Sequence, residues 1–362
     1  MQHCNKNKND VSVEGAESMP NHGAGLKVVA WETTRRCGLN CKHCRAEAVD
    51  SEYSGELTTD EAYKMVDSLA SFAKPVLILT GGEPMIRKDI YDLASYADKQ
   101  GLRVVMAPCG SLVNSETVVK MKSSGIQAIS ISLDGANSET HDSFRGVPGA
   151  FATAVGALEF AKEGNLPFQI NTTVSKLNVD QLDDIYKLAV NLGASVLDFF
   201  FLVPTGRGAG LRDLEIDGVT YEKTLNWIYE LSQNSPIGIK TTCAPHYARI
   251  QEQRAGEDYK NIPQRFRARS CMGGKGFIFI SHRGIVQPCG FLNLECGNLR
   301  KMNFDLKKIY QESTIFNELR NSHLYKGACG SCKFVTSCGG CRARAYEISG
   351  DYLDEEPNCI ML

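Results

Sequence analysis

The sequence lacks several features that would place the protein in common classes. None of its apolar runs reaches the roughly 18–20 residues needed to cross a bilayer, which excludes a membrane-spanning helix. The 40 Lys and Arg residues nearly balance the 42 Asp and Glu residues, so no global field attracts nucleic acid or a membrane. Residues 1–25 contain no apolar segment like that of a secretory signal, and we expect a disordered polar arm there. These absences predict a soluble cytoplasmic protein.

Cysteine is too sparse for a disulfide scaffold but abundant for a cytoplasmic chain. The 14 cysteines are about 4% of the 362 residues. In a reducing compartment, grouped cysteines are more often metal ligands or catalytic groups than disulfides. One group is Cys37, Cys41 and Cys44, and seven more cysteines with regular spacings lie from Cys271 to Cys359. The sequence therefore predicts two metal-binding regions, whereas Cys4, Cys109 and Cys296 have no partner by spacing and are interpreted as ordinary thiols.

Strand and helix patterns alternate from residue 26 to about residue 235. Apolar runs predict six strands, at 26–34, 75–80, 102–107, 126–133, 167–174 and 195–203. Amphipathic segments predict helices at 57–73, 89–101, 114–124, 150–163, 179–192 and 219–233. Apolar strands joined by right-handed crossovers form a parallel sheet. We therefore predict an α/β fold, a partial (β/α)6 barrel of the TIM type, with its site at the carboxyl ends of the strands.

The alternation ends near residue 235, which suggests a change of domain. We predict a core barrel over 26–235, a basic connector over 236–270 and a small Cys-rich C-terminal domain over 271–362. The last segment shows only short strand patterns, at 276–281 and 284–288, and short helices near 305–320 and 340–348. A segment with so little core needs metal or disulfide crosslinks to fold.

The first cysteine group directly follows the first strand, with the spacing Cys37-x3-Cys41-x2-Cys44. Three thiolates on one loop can hold three irons of a [4Fe–4S] cluster and leave the fourth iron open to another molecule. A cluster used only for electron transfer is usually closed by a fourth thiolate. The alternative is a zinc site that uses His43, which is disfavoured because His43 lies between Cys41 and Cys44.

This spacing after a first strand resembles that of the radical S-adenosylmethionine (SAM) superfamily. The resemblance implies that SAM chelates the open iron through its amino and carboxylate groups. It also implies that one electron from the cluster cleaves SAM to give a 5′-deoxyadenosyl radical. His43 occupies a position that is commonly aromatic in this family and packs by the adenine.

Other strand ends support the same resemblance. Gly81-Gly82-Glu83-Pro84 follows the second strand and resembles the family's GGEP motif. Two glycines permit close backbone approach to a ligand, and a carboxylate suits the SAM ammonium group. The resemblance further implies SAM contacts at later strand ends, where ordinary strand-end chemistry is the alternative: Ser132 and Asp134 at the ribose, Thr173 after the fifth strand, and Val203 and Pro204 by the adenine.

The C-terminal cysteines resemble the SPASM extension of radical SAM enzymes, which implies one or two auxiliary [4Fe–4S] clusters. Their order is Cys271-x12-Gly284-x4-Cys289, then Cys329-x2-Cys332-x5-Cys338-x2-Cys341, then Cys359. By this resemblance one cluster takes Cys329, Cys332, Cys338 and Cys359. The other takes Cys271, Cys289 and Cys341, with Cys243 as candidate fourth ligand or an open site facing the substrate. From the paired spacings alone, a structural zinc site is the alternative.

A basic segment offers a candidate binding surface. Between residues 249 and 283 eight basic side chains face three acidic ones, a balance of +5: Arg249, Arg254, Lys260, Arg265, Arg267, Arg269, Lys275 and Arg283 against Glu252, Glu257 and Asp258. Composition alone allows a solvated connector. The alternative is a wall that binds carboxylates, because guanidinium groups grip them in a bidentate manner, and Arg342, Arg344, Arg35 and Arg36 could add to it.

Several stretches resemble the haem-forming decarboxylases of the sirohaem-dependent pathway: VAWETTRRC, CKHCRAEA, KPVLILTGGEP, TTCAPHY, CMGGKGF, QPCGFL and CGGCRARAY. The resemblance implies that two propionates of Fe-coproporphyrin III are oxidatively decarboxylated to vinyl groups, which gives haem b. It also implies a reducing donor such as ferredoxin or flavodoxin, and an auxiliary cluster as acceptor of the surplus electron.

The residues leave several points open. His246 and His282 are possible haem-iron ligands, although a lone histidine is more often structural. No single catalytic side chain is assigned. The alternatives to haem formation are removal of acetate groups from 12,18-didecarboxysirohaem, peptide modification by a SPASM-type maturase, and a non-enzymatic zinc or electron-transfer module.

Overall fold

The computed structural model describes residues 25–263 and 267–361 and is organised around one sheet of ten strands. Residues 1–24 of the expected polar arm, with Cys4, and Arg265 of the basic segment lie outside this range. The strands are β1 (Val28–Thr34), β2 (Val76–Gly81), β3 (Arg103–Met106), β4 (Ile126–Ser132), β5 (Phe168–Val174), β6 (Val196–Phe201), β7 (Gly238–Thr242), β8 (Phe277–Ile280), β9 (Ile285–Gln287) and β10 (Gly297–Asn298).

The strand order explains how the two ends of the chain meet. The order is β10-β9-β8-β1-β2-β3-β4-β5-β6-β7. Strands β8 and β1 to β7 are parallel to one another, and β9 and β10 add antiparallel pairs at the β8 edge. In the described residues β7 and β10 are the two edges, so the sheet is not closed into a barrel.

Helices follow the parallel strands and cover one face of the sheet. They are α1 (Thr59–Phe72), α2 (Ile90–Lys99), α3 (Ser115–Ser123), α4 (Ser138–Arg145), α5 (Ala150–Glu163), α6 (Leu182–Leu192), α7 (Gly218–Asn234) and α8 (His246–Ala255). The start of α1 illustrates how the sequence fixes a helix end. The Thr58 hydroxyl accepts from Glu61 N–H at 3.2 Å, and the Glu61 carboxylate accepts from Thr58 N–H at 2.9 Å. This reciprocal cap satisfies two amides that the helix itself leaves unpaired.

The two faces of the sheet differ in polarity. On β6, Leu197, Phe199 and Phe201 are buried in the main core under the helices. Because side chains alternate along a strand, Asp198 lies on the opposite face, which we call the inner face. Alternation on β1 and β5 puts Glu32 and Asn171 there too. The inner face is therefore the polar wall of a site above the sheet.

The C-terminal part packs on this sheet as an extension rather than a detached unit. Its helices are α9 (Leu306–Glu312), α10 (Thr314–Arg320), α11 (Gly327–Ser331) and α12 (Arg342–Ser349). Leu306, Ile309, Tyr310 and Phe316 belong to the same buried core as the strands of the barrel.

The predicted α/β class and its six βα units are confirmed in β1 to β6. The sheet then continues: β7 and α8 lie within the segment predicted as a connector, and the strand at 276–281 joins β1 as β8. In the described part of the chain no helix is long and apolar enough to cross a membrane.

Candidate active site

The first three cysteines lie on one loop, residues 37–44, directly after β1. Cys37 and Cys41 are buried and Cys44 is half-buried. The backbone N–H of Leu39 donates to Cys37 Sγ at 3.4 Å, and that of Ala48 donates to Cys44 Sγ at 3.4 Å. Such donors favour negative charge on sulfur, so the loop is suited to hold thiolates.

Two arginines that are distant in the chain hold this cysteine loop: Arg145 at the end of α4, and Arg207 in the segment after β6. Arg145 Nη1 donates to Cys41 Sγ at 3.6 Å. Arg207 Nη1 donates to the Cys41 carbonyl at 2.9 Å, and its Nη2 donates to the Ala48 carbonyl. The sequence reasoning missed both residues; each precedes a glycine whose Cβ would collide with, or lie close to, this loop region.

The GGEP segment supports the loop through its backbone. Gly82 N–H donates to the Thr34 carbonyl at 2.8 Å, and Glu83 N–H donates to the Arg36 carbonyl at 2.8 Å. A Cβ on Gly81 would lie 2.1 Å from the Thr34 oxygen, and a Cβ on Gly82 would lie 2.4 Å from the Arg36 oxygen. Only glycine permits this contact, so the segment sets where the cysteine loop begins.

The Glu83 carboxylate points into the protein. It accepts from Met85 N–H at 2.9 Å and from Cys109 N–H at 2.8 Å. Burial raises its pKa well above the ordinary value. Pro84 is buried at the start of a short 3-10 turn that Glu83 caps. A direct contact of this carboxylate with SAM stays a prediction.

Around β4 the predicted SAM residues form a buried polar network beside the loop. Asp134 Oδ1 accepts from Thr173 N–H at 2.7 Å, and Asp134 Oδ2 lies 2.6 Å from Arg145 Nη2. Burial alone would raise the pKa of Asp134, but Arg145 and the nearby histidines lower it. Asp134 is fully buried, so it acts on the site through Arg145.

His43 stacks on a side chain of the protein. Its ring lies 4.2 Å from that of Phe144 at an interplanar angle of 20°. Burial lowers the pKa of His43 to about 4, so the ring is neutral at pH 7. His43 Nδ1 and Arg145 Nε are buried and have no hydrogen-bond partner in the described residues. Such unpaired atoms fit a site that is built around a further ligand.

A cavity of ≈ 170 Å³ lies beside the cysteine loop. Its lining includes Gly38, Ser132, Arg145 and Cys109. Cys109, interpreted from sequence as an ordinary thiol, therefore lies in the candidate site. Its hydrogen bond lowers the pKa of Cys37. No spacing rule joins residue 109 to the first cysteine group, which is why the sequence did not reveal it.

A charged cluster lies where β1 meets β8. The Glu32 carboxylate accepts from His282 Nδ1 at 2.7 Å, from Arg35 Nε at 3.2 Å and from Arg45 Nη1 at 3.3 Å. Burial opposes its charge, but His282 and the two arginines lower the pKa of Glu32 to about 2. Arg45 also lies 4.2 Å from the Phe279 ring centroid. This cluster puts cationic side chains at the end of the inner face.

Four cysteines from separate segments come together near β7, and we call them the middle cysteine group: Cys243, Cys271, Cys289 and Cys341. A hydrogen bond between thiols raises the pKa of Cys243 and lowers that of Cys341 to about 7. Burial, with the neighbouring Cys271 and Cys341, raises the pKa of Cys289. Cys243 has a φ of 59°, and its carbonyl accepts from Tyr221 Oη at 3.3 Å.

The other four form the C-terminal cysteine group: Cys329, Cys332, Cys338 and Cys359. Three sulfurs accept backbone N–H groups: Cys329 from Glu356 at 3.4 Å, Cys332 from Phe334 at 3.4 Å and Cys338 from Gly340 at 3.5 Å. Cys359 is close enough to Cys329 for their charges to interact. The assignment of these eight cysteines to two auxiliary clusters stays a prediction, and the positions of the two groups are compatible with it. In residues 25–263 and 267–361 no three His, Cys, Asp or Glu side chains are grouped to hold one metal ion.

Most arginines of the predicted carboxylate wall have partners inside the protein. Arg249 pairs with Glu222, and Arg254 pairs with Glu230. Arg344 is fully buried between Glu356 and Glu215. Arg342 donates to the Asp354 and Tyr352 carbonyls. Of these side chains, Arg344 joins the C-terminal part to the segment after β6 through Glu215, whereas Arg35 and Arg45 lie around Glu32 at the inner face.

Comparison with known proteins identifies the chain. Residues 31–189 match the radical SAM superfamily. SuiB of Streptococcus suis, solved with S-adenosylmethionine, shares the fold at a TM-score of 0.73 and 14% identity, with 94% of this chain and 79% of that chain covered. The chain belongs to the radical SAM superfamily, whose members use a [4Fe–4S] cluster and SAM, and the N–H groups that point at the sulfurs of the cysteine loop suit such a cluster.

Within the superfamily the chain groups with enzymes of haem synthesis. It is 46% identical over 353 residues to the AdoMet-dependent heme synthase of Nitratidesulfovibrio vulgaris, covering 96% of each chain. It is 30% identical over 353 residues to the Fe-coproporphyrin III synthase of Methanosarcina barkeri, covering 92% of this chain and 88% of that relative. The chain therefore belongs to the family of the AdoMet-dependent heme synthases within the radical SAM superfamily.

Proposed function

We propose that the protein oxidatively decarboxylates two propionates of Fe-coproporphyrin III to vinyl groups and so forms haem b. The observation that carries this proposal is the 46% identity to an AdoMet-dependent heme synthase over 96% of both chains. For each propionate the substrate releases CO2, one hydrogen atom and one electron. A haem synthase of this kind therefore needs a radical source, a carboxylate-binding site and an electron acceptor.

The cysteine loop would provide the radical source. Cys37, Cys41 and Cys44 would hold the cluster, with SAM in the adjoining cavity against Gly81-Gly82-Glu83-Pro84, Ser132 and Thr173. When bound, the cluster supplies the electron that cleaves SAM to the 5′-deoxyadenosyl radical. Arg145 and Arg207 keep the loop in place through the Cys41 sulfur and carbonyl. His43 remains neutral and stacked, so it adds no charge beside the cluster.

Arg35 and Arg45 serve the second need. Both lie at the inner face, where their shared partner Glu32 offsets only one of the two positive charges. Arg45 also lies against Phe279, which offers an apolar surface to a flat macrocycle. A guanidinium group that is already oriented binds a propionate carboxylate with little further ordering. We propose that these arginines hold propionates of the substrate.

The middle cysteine group serves the third need. Cys243 follows β7, a strand of the barrel, and meets Cys341 and Cys289 of the C-terminal part. We propose that these residues and Cys271 hold an auxiliary [4Fe–4S] cluster that accepts the surplus electron. The C-terminal cysteine group would hold the second auxiliary cluster. A ferredoxin or flavodoxin would reduce the cluster of the cysteine loop.

Product analysis tests the proposal. The reconstituted protein, incubated without oxygen with SAM, a reductant and Fe-coproporphyrin III, should release two CO2 for each haem b formed. The matched control is a C37A/C41A/C44A variant, which should form neither 5′-deoxyadenosine nor haem. Cleavage of SAM with all four propionates intact would reject the decarboxylase. Because a 30% relative is named Fe-coproporphyrin III synthase, didecarboxysirohaem is the second substrate to test, with loss of acetate as the readout.

A further inference from the structure

Helix α8 carries two buried polar atoms that have no hydrogen-bond partner in the described residues, His246 Nε2 and Arg249 Nε. The residues are one turn apart, and only 1% of His246 and 3% of Arg249 is exposed. Buried polar groups are almost always paired, because an unpaired one loses its hydration without compensation. The Arg249 Nε–H is a donor, so it points to an acceptor that proteins of this class carry as a bound group.

The other donors of Arg249 are already engaged. Its Nη1 donates to Glu222 Oε1 at 3.0 Å and to Gln253 Oε1 at 2.6 Å, and its Nη2 also pairs with Glu222. These contacts fix the plane of the guanidinium group and leave the Nε–H free. Since the charge of the guanidinium group is balanced by Glu222, what Arg249 still offers to a ligand is one directed hydrogen bond from its Nε–H.

Arg249 lies within electrostatic range of the C-terminal cysteine group. Burial raises the pKa of Cys338, while Arg249 opposes the rise, and the Cys338 and Cys359 thiols in turn favour the charged form of Arg249. Helix α8 belongs to the barrel, directly after Cys243, whereas Cys338 and Cys359 belong to the C-terminal part. The unpaired donor therefore lies on the barrel side of the C-terminal cysteine group.

We infer that Arg249 Nε–H donates a hydrogen bond to a sulfur of the iron–sulfur cluster held by the C-terminal cysteine group, and thereby raises the reduction potential of that cluster. The inference rests on the second auxiliary cluster of the proposed function. Hydrogen bonds to cluster sulfurs stabilise the added electron of the reduced state. Arg249 is a positioning residue: it makes this cluster a better electron acceptor and does not contact the porphyrin.

The first test is a reduction potential. The full chain, in the C37A/C41A/C44A background to remove the signal of the first cluster, is reconstituted and titrated with EPR detection. R249K keeps the positive charge and its pairing with Glu222 but removes the Nε–H, so the potential of the C-terminal cluster should become more negative. R254K is the matched control, because Arg254 is a more exposed arginine on the same helix that pairs with Glu230. In R254K the reduction potential of the C-terminal cluster should not change.

A second measurement requires no substitution at Arg249. In the reduced cluster of protein labelled with 15N-arginine, a hydrogen-bonded Nε should give a weak nitrogen coupling in pulsed EPR. Arg342 Nη2 also donates to Cys329 Sγ, at 3.6 Å, so a second arginine coupling is expected. R249K should abolish only the Arg249 Nε coupling, and R254K should keep both. An unshifted potential together with an arginine coupling that R249K leaves unchanged would overturn the inference.

Iron and sulfide counts separate this result from the proposed function. If the clusters are present and haem b forms but R249K changes neither readout, only the inference fails. If the chain binds clusters and R249K removes an arginine coupling but no haem b forms, the decarboxylase proposal fails and the inference stands. If C332A and C338A leave the iron content unchanged, the C-terminal group holds no cluster and the inference is overturned.

Discussion

At the scale of single residues, Asp198 is a buried carboxyl group on the inner face. Its oxygens accept from Thr242 Oγ1 at 3.0 and 3.1 Å, and only 5% of the residue is exposed. Burial raises its pKa from 3.8 to about 6, although Lys240 and Thr242 oppose the rise. Unlike Glu32, whose arginines and histidine compensate for burial, Asp198 has too few partners to keep its charge at low pH.

Replacing Asp198 should therefore alter how stability depends on pH. A raised carboxyl pKa contributes stability below the unfolded value of 3.8, and this is lost as pH rises through about 6. The side chain that D198N introduces cannot ionise. The free energy of unfolding of D198N, relative to that of the unaltered chain, should therefore be about 2–3 kcal/mol higher at about pH 7.5 than at about pH 4. Urea unfolding of the metal-free chains measures the difference. D60N, at an exposed position, is the control, and a gap that is constant with pH would contradict the prediction.

Cys243 supports a second prediction at this scale. It occupies the left-handed region at a φ of 59°, which is strained for any residue but glycine, and Tyr221 and Arg344 hold its carbonyl there. C243S should make the cluster of the middle cysteine group labile, with a loss of up to about four irons per chain. Iron and sulfide analysis after gel filtration checks this. C296S should keep full iron, and full iron in C243S would favour the open-site alternative.

At the scale of elements, the junction of β2 with the cysteine loop is the most constrained contact of the site. The Cβ of an alanine at position 82 would lie 2.4 Å from two backbone oxygens of residues 35 and 36. Backbone cannot move aside as a long side chain does, so G82A should displace the cysteine loop. We expect SAM cleavage to fall by at least about tenfold, the equivalent of 1.4 kcal/mol.

The control for G82A is G156A, in the middle of α5, where a Cβ meets no atom within 4 Å. Alanine there should stabilise the helix by about 0.5–1 kcal/mol and leave SAM cleavage unchanged. 5′-Deoxyadenosine formation and thermal unfolding give the two readouts. Normal cleavage by G82A would show that the loop tolerates a shift of its first residues.

The elements that the sequence predicts are those with a strong local pattern. The six predicted strands match β1 to β6, because their outer faces are apolar and buried. The strand β7, GIKTT, and the helix α4, SETHDSFR, are too polar for periodicity to indicate them. The residues 276–281 read as a strand, but their pairing with β1 depends on a contact across more than 240 residues.

The same distinction holds for the site. The cysteines and GGEP follow spacing rules and were predicted residue by residue. Arg145, Arg207 and Cys109 are distant from the cysteine loop in the chain and reach it only through tertiary folding, so no local motif indicates them. His246, considered from sequence as an iron ligand, is buried with its Nδ1 3.1 Å from Tyr221 Oη.

At the scale of the whole molecule, the C-terminal part is integral to the sheet. Strand β8 covers the free edge of β1, and α9 and α10 add residues to the main core. A chain that ends at residue 270 would expose the edge of β1 and the apolar face beneath α9. We expect it to aggregate.

A chain that ends at residue 321 tests the same prediction from the other side. It keeps β8 to β10, α9 and α10 and loses the C-terminal cysteine group. It should elute from size-exclusion chromatography as a defined species and bind the first cluster. A well-behaved chain of 270 residues would contradict this account and would favour an independent barrel over 26–235.

The pairing of β1 with β8 also has a consequence during synthesis. A ribosome that adds about 5–20 residues each second needs roughly 12–50 s to advance from Thr34 to Phe277. During that interval β1 has β2 available as a partner but not β8, and the nascent cysteine loop beside it stays accessible. Translation itself thus leaves an interval in which chaperones must shield one strand and cluster-delivery proteins can load their iron.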